Sequence, residues 1–464
     1  MALSWRTAVL IACGIFLLIF SPTLSTAWGW IFLSLTLALI DAVCALSPRE
    51  FRIERHVKDN IRADQSTTCD LWIENPTRRG VTLTIRDAWP PSMQPTPSRH
   101  HIRLAAHDRV RVTTVLSPKR RGTRRCDRIT IRVWGPLGLA ARQVSLSAPA
   151  SIAVLPEFRA RKLLPSRLAR LHELEGSTAV VLRGPGTEFD SLRTYVRGDD
   201  PRDIDWRASA RSQDLIVRTW RPERDRHVVI IVDCGRSGAL LLGAPEHSSN
   251  ADALDLGATP RMDASIEAAL LLATLADRAG DHVHFLAMDR SIRARVDGVQ
   301  GPALLRQCGL SLADVSPSLL PMDWQRLITE VRRTVHHKSL VVLCTDLPPA
   351  GTDPQLYEAV ALLTRTHTVI VASAQDPTIL RMAQSHDQHK NHAHTADHYE
   401  MSPDTPPPTT DVYDVIAAHA ALRETRAGAH ELQRTGAIVI TTDAGLLAAH
   451  LSDTYLALKK SGRL

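Results

Sequence analysis

The sequence predicts an α/β protein made of a transmembrane helical hairpin, a small β-sandwich and a doubly wound parallel sheet. Two apolar runs lie near the N-terminus, short alternating runs follow them, and the C-terminal half alternates buried-strand patterns with helical spacing. The 464 residues, 44% of them apolar and 23% charged, exceed what one globular core usually serves. We therefore expect a hairpin over 1–48, a sandwich over 49–150, a connecting segment over 151–226 and an α/β domain over 227–464.

The two N-terminal apolar runs, Leu3 to Phe20 and Trp28 to Leu46, each approach the roughly 20 residues that cross a bilayer as a helix. Arg6 lies at the start of the first run, the short turn between the runs has no Lys or Arg, and three arginines follow the second: Arg49, Arg52 and Arg55. Positive charge on one side predicts an inner-membrane protein with two spans and its soluble body in the cytoplasm.

Two other interpretations of these runs stay open. The first run could be a cleaved signal peptide, because Ser25-Thr26-Ala27 weakly resembles a cleavage site, or the hairpin could be buried in a soluble domain. Asp41 is the charged residue inside the second run, and we expect it to reach the headgroups at the cytoplasmic end.

Charge and cysteine content limit the partners. The net charge of +7 suits either nucleic acid or an anionic membrane surface. The basic run from Lys119 to Arg125 contains no aromatic residue for base stacking, so we expect a solvated turn or lipid contact and no nucleic-acid partner. Seven scattered cysteines without a CxxC pair predict buried thiols in a reducing compartment.

Short strands of period two predict the antiparallel sandwich. Cys69 to Glu74 and Val81 to Ile85 alternate in this way and are separated by Asn75-Pro76; Val110 to Leu116 and Ile129 to Val133 follow.

The C-terminal half predicts a parallel sheet, because its strands are continuous apolar runs separated by helices. The predicted strands are His227–Val232, His282–Met288, Leu340–Cys344, Thr368–Ala372 and Ala437–Thr441. The predicted helices are Asp263–Ala279, 323–337, 354–365, Val412–Gln433 and Ala444–Lys459. The insert from Ser385 to Pro408 predicts an exposed loop, although the histidines within 385–398 could bind a transition metal; these are His386, His389, His392, His394 and His398.

Three predicted strands end in an aspartate: Asp233, Asp289 and Asp346. Ligands of doubly wound sheets collect at the carboxyl ends of strands, where Asp233, Ser237 and Asp346 could offer oxygens to Mg²⁺ or Mn²⁺. The alternative is that these aspartates only cap helices or bind loop amides.

This strand end resembles the von Willebrand factor A-type domain, whose metal-ion-dependent adhesion site uses Asp-x-Ser-x-Ser with a further Thr and Asp. Asp233, Ser237 and Asp346 match, whereas Gly235 stands in place of the first serine and Thr259 is a candidate for the threonine. The resemblance implies a degraded site for Mg²⁺ or Mn²⁺, and we expect no other cofactor.

A longer motif lies upstream. Gly186 to Arg211 resembles the signature of the prokaryotic family called domain of unknown function 58: roughly Glu-Phe-x-x-Leu-Arg-x-Tyr-x-x-Gly-Asp-x-x-Arg-x-Ile-x-Trp-x-x-(Ser/Thr)-Ala-Arg. Members resemble this chain end to end, with a membrane hairpin, a sandwich, the signature and an A-like domain. The candidate interaction residues are Arg193, Tyr195, Gly198, Asp199, Arg202, Asp205, Trp206 and Arg211.

The signature has two interpretations. Its carboxylates could share a proton or a metal for hydrolysis, or its Arg–Asp pairs could lock the segment, with Trp206 and Tyr195 anchored by burial. The alternating opposite charges favour the second interpretation, since a nearby guanidinium keeps each carboxylate ionised. The sequence has no nucleophile elbow, P-loop, HExxH motif or Cys/His pair, so we assign no catalytic residue.

The resemblance implies a membrane-tethered protein-interaction adaptor that works with a MoxR-type AAA+ ATPase and other envelope proteins. We expect the contact with the ATPase at the degraded adhesion site formed by Asp233, Ser237 and Asp346. The alternative is a membrane-bound metal-dependent hydrolase that uses the signature aspartates. A third possibility is an extracytoplasmic adhesion protein.

Overall fold

The computed structural model describes residues 2–20, 22–178, 188–196, 199–212, 214–221, 226–243, 254, 258–384 and 409–463. These fall into two compact units, Met1–Glu157 and Phe158–Leu464. The His-rich insert that the sequence predicts as a loop, 385–408, lies outside the described residues.

The first unit begins with two apolar helices, α1 (Trp5–Phe20) and α2 (Leu24–Cys44). They pack against each other, and the indole N–H of Trp30 donates to the carbonyl of Leu10 at 3.0 Å. One helical stretch, Leu24–Glu50, is long and apolar enough to cross a membrane, whereas α1 has only 16 residues. The structure therefore gives one helix of spanning length where the sequence predicts two.

Nine strands follow the pattern expected for a sandwich. Their bounds are β1 Ala2–Leu3, β2 Arg52–His56, β3 Asn60–Arg62, β4 Thr67–Glu74, β5 Val81–Asp87, β6 His100–Leu104, β7 Arg109–Leu116, β8 Gly122–Trp134 and β9 Ala140–Leu155. One sheet has the order β1-β9-β8-β5-β6 with β3 beside β9, and the other has the order β2-β4-β7. Their facing apolar side chains, among them Leu71, Ile73, Leu83, Ile85 and Ile131, form one core.

A buried ion pair lies in this unit. The guanidinium of Arg55 is 2.6 Å from Asp87, and both side chains are almost fully buried. Arg55 also donates to the carbonyls of Cys126 and Ala148. The sequence placed Arg55 with the positive flank of the membrane segment, but its charge is compensated inside the sandwich. Arg49 and Arg52 remain as the exposed basic residues that follow α2.

The second unit contains a two-stranded hairpin, β10 (Glu188–Thr194) with β11 (Ile216–Arg221), and a six-stranded sheet. The sheet strands are β12 His227–Asp233, β13 His282–Met288, β14 Ile292–Val296, β15 Leu340–Cys344, β16 Thr368–Gln375 and β17 Ile438–Asp443. The helices are α3 Leu164–Thr178, α4 Trp206–Ser209, α5 Arg261–Arg278, α6 Pro302–Ala313, α7 Trp324–Thr334, α8 Pro354–Thr364, α9 377–384, α10 Thr409–Arg434 and α11 Leu447–Lys460.

The strand order in this sheet is β14-β13-β12-β15-β16-β17, with β14 antiparallel and the other five parallel. Helices cover both faces of this sheet, so alternate side chains of β12 pack into two different hydrophobic cores. Val228 and Ile230 pack with α5, α6 and α11, whereas Val229 and Ile231 pack with α7, α8 and α10. This two-sided burial explains why the strands are continuous apolar runs.

Five of the seven cysteines are buried, free thiols, which agrees with the expectation of buried thiols; they are Cys69, Cys126, Cys234, Cys308 and Cys344. Burial raises the pKa of Cys308 and of Cys344 to about 12. Such thiols stay protonated and unreactive at neutral pH.

Candidate functional site

The acidic corner lies where the strand order reverses. After β12 the chain continues to β13 on one side of it, and β15 later pairs with the other side of β12. The carboxyl ends of β12 and β15 therefore flank a topological switch point of the sheet. Asp233 ends β12, and Thr345 and Asp346 follow β15. The structure therefore brings together Asp233, Ser237 and Asp346, as the sequence predicts from the strand ends.

Asp233 is buried, and both of its carboxylate oxygens accept hydrogen bonds. Oδ1 accepts from the backbone N–H of Gly235 at 2.7 Å, and Oδ2 accepts from the hydroxyls of Ser237 at 3.1 Å and Thr345 at 2.6 Å. Burial raises the pKa of Asp233, and the charge of Asp346 raises it further, while these three hydrogen bonds oppose the rise.

Arg261 supplies a fixed positive charge to this corner. Its guanidinium lies 2.5 Å from Oδ2 of Asp346 and donates to the carbonyls of Ala374 at 3.0 Å and Ser237 at 3.3 Å. Arg261 is the first residue of α5 and is only 7% exposed. Arg261 was not predicted as a site residue, since no sequence motif links it to the aspartates.

The residues present do not fit a divalent cation. The serine of the adhesion-site motif cannot replace Gly235 without movement, because a Cβ there would lie 2.7 Å from the carbonyl oxygen of Leu320. Arg261 already pairs with the Asp346 oxygen that a metal would need, and Thr259 has no described side-chain contact with the corner. Within the described ranges, no three His, Cys, Asp or Glu side chains group as metal ligands.

Asp289, the third strand-end aspartate, stabilises the neighbouring loops. Its carboxylate accepts from the backbone N–H of Ser291 at 2.8 Å, the hydroxyl of Ser318 at 2.8 Å and the guanidinium of Arg293 at 2.8 Å. Burial alone raises the pKa of Asp289, but these three donors outweigh it and the pKa lies below its ordinary value. Asp289 thus follows the alternative in which strand-end aspartates satisfy loop amides.

The signature forms a separate structure around the β10–β11 hairpin. Asp199 makes a bidentate pair with Arg193, at 2.6 and 2.7 Å, and accepts from the backbone N–H of Val196 at 2.9 Å. This fork-to-fork geometry closes the turn after β10.

Asp205 has a similar role at the next turn. One carboxylate oxygen caps α4 by accepting from the N–H groups of Arg207 and Ala208, and the other accepts from Arg218 of β11 at 3.0 Å. The Ala208 amide and the Arg218 guanidinium hold the pKa of Asp205 below its ordinary value. Asp199 and Asp205 are therefore engaged in the way that the structural interpretation of the signature requires.

Trp206 contradicts one expectation. It is 67% exposed, so burial does not anchor it, whereas Tyr195 is half-buried. Three arginines of the same segment are also exposed, and their guanidinium groups have no ion-pair partner among the described residues; they are Arg202, Arg207 and Arg211. Gly198, the remaining signature residue, lies outside the described residues. We use the name signature face for these four exposed side chains of the segment 202–211.

In the first unit, Asp41 of α2 has an unexpected role. Its side chain is 1% exposed and accepts from three backbone N–H groups of the β8–β9 turn: Leu137 at 2.8 Å, Leu139 at 2.7 Å and Ala140 at 2.9 Å. Asp41 therefore fixes the sandwich to the apolar helix and does not reach lipid headgroups.

Residues 191–384 match the family model described as "Protein of unknown function DUF58". The match supports the family prediction over a segment that starts inside the signature and includes the acidic corner. A comparison with curated proteins found no match.

Similar solved structures cover about a quarter of the chain. A human CEP192 ASH/PapD-like domain is 12% identical, covering 24% of this chain and 89% of its own, with a TM-score of 0.18. A CARDB domain from Pyrococcus furiosus is 15% identical, covering 23% and 87%, with a TM-score of 0.17. A FixG-related protein from Vibrio parahaemolyticus is 8% identical, covering 23% and 96%, with a TM-score of 0.16. These TM-scores establish no shared fold.

Proposed function

We propose that this protein is a membrane-tethered adaptor that binds a MoxR-type AAA+ ATPase through its signature face. The observation that carries the proposal is the exposure of Trp206 in a segment with three exposed arginines that have no ion-pair partner among the described residues. In the same signature Asp199 and Asp205 are engaged by other arginines. Trp and Arg dominate the energetics of protein interfaces. The face is apolar and cationic, so it suits an acidic surface of the ATPase.

The membrane assignment gains support from contacts at both ends of the helical hairpin. Ala2 and Leu3 pair with Ala141 and Ala140, and Asp41 binds amides of the same turn. The start of α1 and the end of α2 therefore lie beside the same part of the sandwich. This is the arrangement expected when two helices joined by a short turn cross the membrane and return. With the positive flank, this supports an inner-membrane position with the soluble body in the cytoplasm.

The parallel sheet with an antiparallel edge strand and helices on both faces supports a von Willebrand factor A-type domain. Because Arg261 compensates Asp346, its acidic corner acts in this proposal as a metal-free element that holds the loops at the sheet edge. The hydrolase alternative uses Asp199 and Asp205, but hydrogen bonds from arginines and backbone amides occupy these carboxylates. Their engagement favours the adaptor.

The test is a crosslinked pull-down from native membranes with the intact protein, Trp206→Ala, Asp233→Ala and the control Tyr413→Ala, which removes another exposed aromatic ring. We expect an AAA+ ATPase with the intact protein, the control and Asp233→Ala, and loss with Trp206→Ala. Equal recovery with all four proteins would exclude the signature face as the binding site for the ATPase. Absence of an ATPase from every sample would overturn the adaptor role. Phosphoester turnover with Mn²⁺ that Asp199→Ala or Asp205→Ala abolishes would favour the hydrolase.

A further inference from the structure

A cavity lies in the first unit where the apolar helix α2 ends. Its volume is about 560 Å³. Its lining includes Cys44 and Leu46 at the end of the helix, Trp134 at the end of β8, Pro136 in the β8–β9 turn, and Arg79 and Arg103. Asp41 holds this turn against α2, so the cavity has a fixed position relative to the helix.

The charges in this cavity favour an anion. Arg79 and Arg103 are exposed, and neither guanidinium has a hydrogen-bond or ion-pair partner among the described residues. Asp108 is the one acidic residue of the lining, and one of its oxygens already accepts from the backbone N–H of Arg109 at 2.8 Å. The carbonyl groups at the C-terminal end of α2 disfavour an anion, but two charge-assisted donors outweigh a helix end.

The position of the cavity identifies the source of the anion. A helix that spans a bilayer ends at the depth of the lipid headgroups, and α2 ends at Cys44 in the cavity wall. Trp134 also lines the cavity, and its indole N–H already donates to Thr84 at 2.8 Å. Aromatic rings and arginines at this depth are typical of membrane interfaces.

We propose that this cavity binds the phosphate headgroup of an anionic phospholipid through Arg79 and Arg103. The proposal rests on the membrane position of α2 stated above, but not on the adaptor role or its ATPase partner. A bound lipid would join the sandwich to the bilayer at a second point besides the helices.

The experiment uses the full-length protein purified in a neutral detergent. Native mass spectrometry measures how much phosphatidylglycerol, phosphatidylcholine or inorganic phosphate remains bound at increasing concentrations. The variant is Arg79→Ala/Arg103→Ala, and the control Arg78→Ala/Arg99→Ala removes two exposed arginines that do not line the cavity. Both variants change the net charge equally, so a difference between them is specific to the site.

We expect phosphatidylglycerol to bind at least about tenfold more weakly to the cavity variant than to the wild type and the control, because loss of even one charge-assisted hydrogen bond weakens binding by about that factor. Equal binding to both variants would overturn the site, and so would displacement of the lipid by equimolar inorganic phosphate. Carbonate extraction of the wild type is measured separately: release from membranes would overturn both the anchor and this site. If the protein resists extraction but both variants bind phosphatidylglycerol equally, the lipid site alone would be overturned.

Discussion

A guanidinium nitrogen of Arg261 lies 2.5 Å from a carboxylate oxygen of Asp346, at the end of the sheet where the sequence predicts a degraded metal site. The pair joins the start of α5 to the loop after β15, and further hydrogen bonds of Arg261 reach the end of β16 and the loop after β12. One side chain thus connects the ends of three neighbouring strands.

We predict that Arg261→Ala lowers the free energy of unfolding by about 2 kcal/mol. Breaking a fully buried ion pair usually lowers the free energy of unfolding by more than this. The Asp346 side chain is about one-third exposed, so water can solvate its carboxylate after Arg261 is removed. Thermal unfolding of the full-length protein in detergent measures the change, with the exposed Arg278→Ala as control. An equal effect of both substitutions would contradict the role given to Arg261.

The same substitution should create a dependence on metal. Removing the guanidinium leaves Asp233 and Asp346 close together without a cation, so Mg²⁺ should raise the melting temperature of Arg261→Ala. The wild type should respond neither to Mg²⁺ nor to a chelator, because Arg261 already compensates the carboxylate. A clear increase in the melting temperature of the wild type with Mg²⁺ would show that the corner binds metal after all.

We predict that Asp41→Ala loosens the β8–β9 turn. The amides of Leu137, Leu139 and Ala140 lose their acceptor, so hydrogen exchange over 135–140 should accelerate by about 10- to 100-fold. Hydrogen–deuterium exchange with mass spectrometry measures this, and Asp59→Ala, which removes an exposed carboxylate of the same unit, serves as the control. Unchanged exchange in the Asp41 variant would mean that the turn does not depend on the helix.

We predict that Tyr455→Phe lowers the free energy of unfolding by about 1–3 kcal/mol. The Tyr455 hydroxyl donates at 2.5 Å to the buried carboxylate of Asp281, which also pairs with Lys459 at 3.1 Å. Without the hydroxyl, a buried oxygen loses its donor. Chemical denaturation measures the loss, and Tyr413→Phe, at an exposed position, should change nothing.

The stability contributed by Asp289 should depend on pH. Its folded-state pKa lies below the ordinary value of 3.8, so its contribution is complete above that pH and decreases as the pH falls through the folded-state pKa. The difference in unfolding free energy between wild type and Asp289→Asn should therefore shrink below about pH 4. A difference that stays constant down to about pH 2 would contradict this assignment. Asp233 has a raised pKa, so its contribution to stability changes with pH in the opposite sense. This contribution is present in both proteins and cancels in the difference between wild type and Asp289→Asn.

The sequence predicted the parallel sheet best, because strands buried on both faces are continuous apolar runs. β13 and β15 have the predicted bounds, His282–Met288 and Leu340–Cys344. β14 was missed because Arg293 and Arg295 interrupt its apolar pattern. The helix α3 was missed because its segment was predicted to be a connection, and α6 was not predicted.

The candidate sites were harder to predict. Strand ends located Asp233 and Asp346, since parallel strands bring their carboxyl ends together. Arg261 and the amides bound by Asp41 could not be inferred, because each contact joins positions about one hundred residues apart without a shared motif. The exposure of Trp206 was also unpredictable, since a tryptophan in a charged segment serves equally well as an anchor or as a binding surface.

The pairing of Ala2 and Leu3 with β9 has a consequence for the order of folding during synthesis. Ala2 and Leu3 form an edge strand, and they are synthesised about 140 residues before the residues of β9 with which they pair. If α1 and α2 enter the membrane first, this edge strand stays unpaired at the bilayer surface until β9 has been synthesised. The larger sheet of the sandwich is then completed at the membrane, so insertion precedes and guides the last step of its assembly.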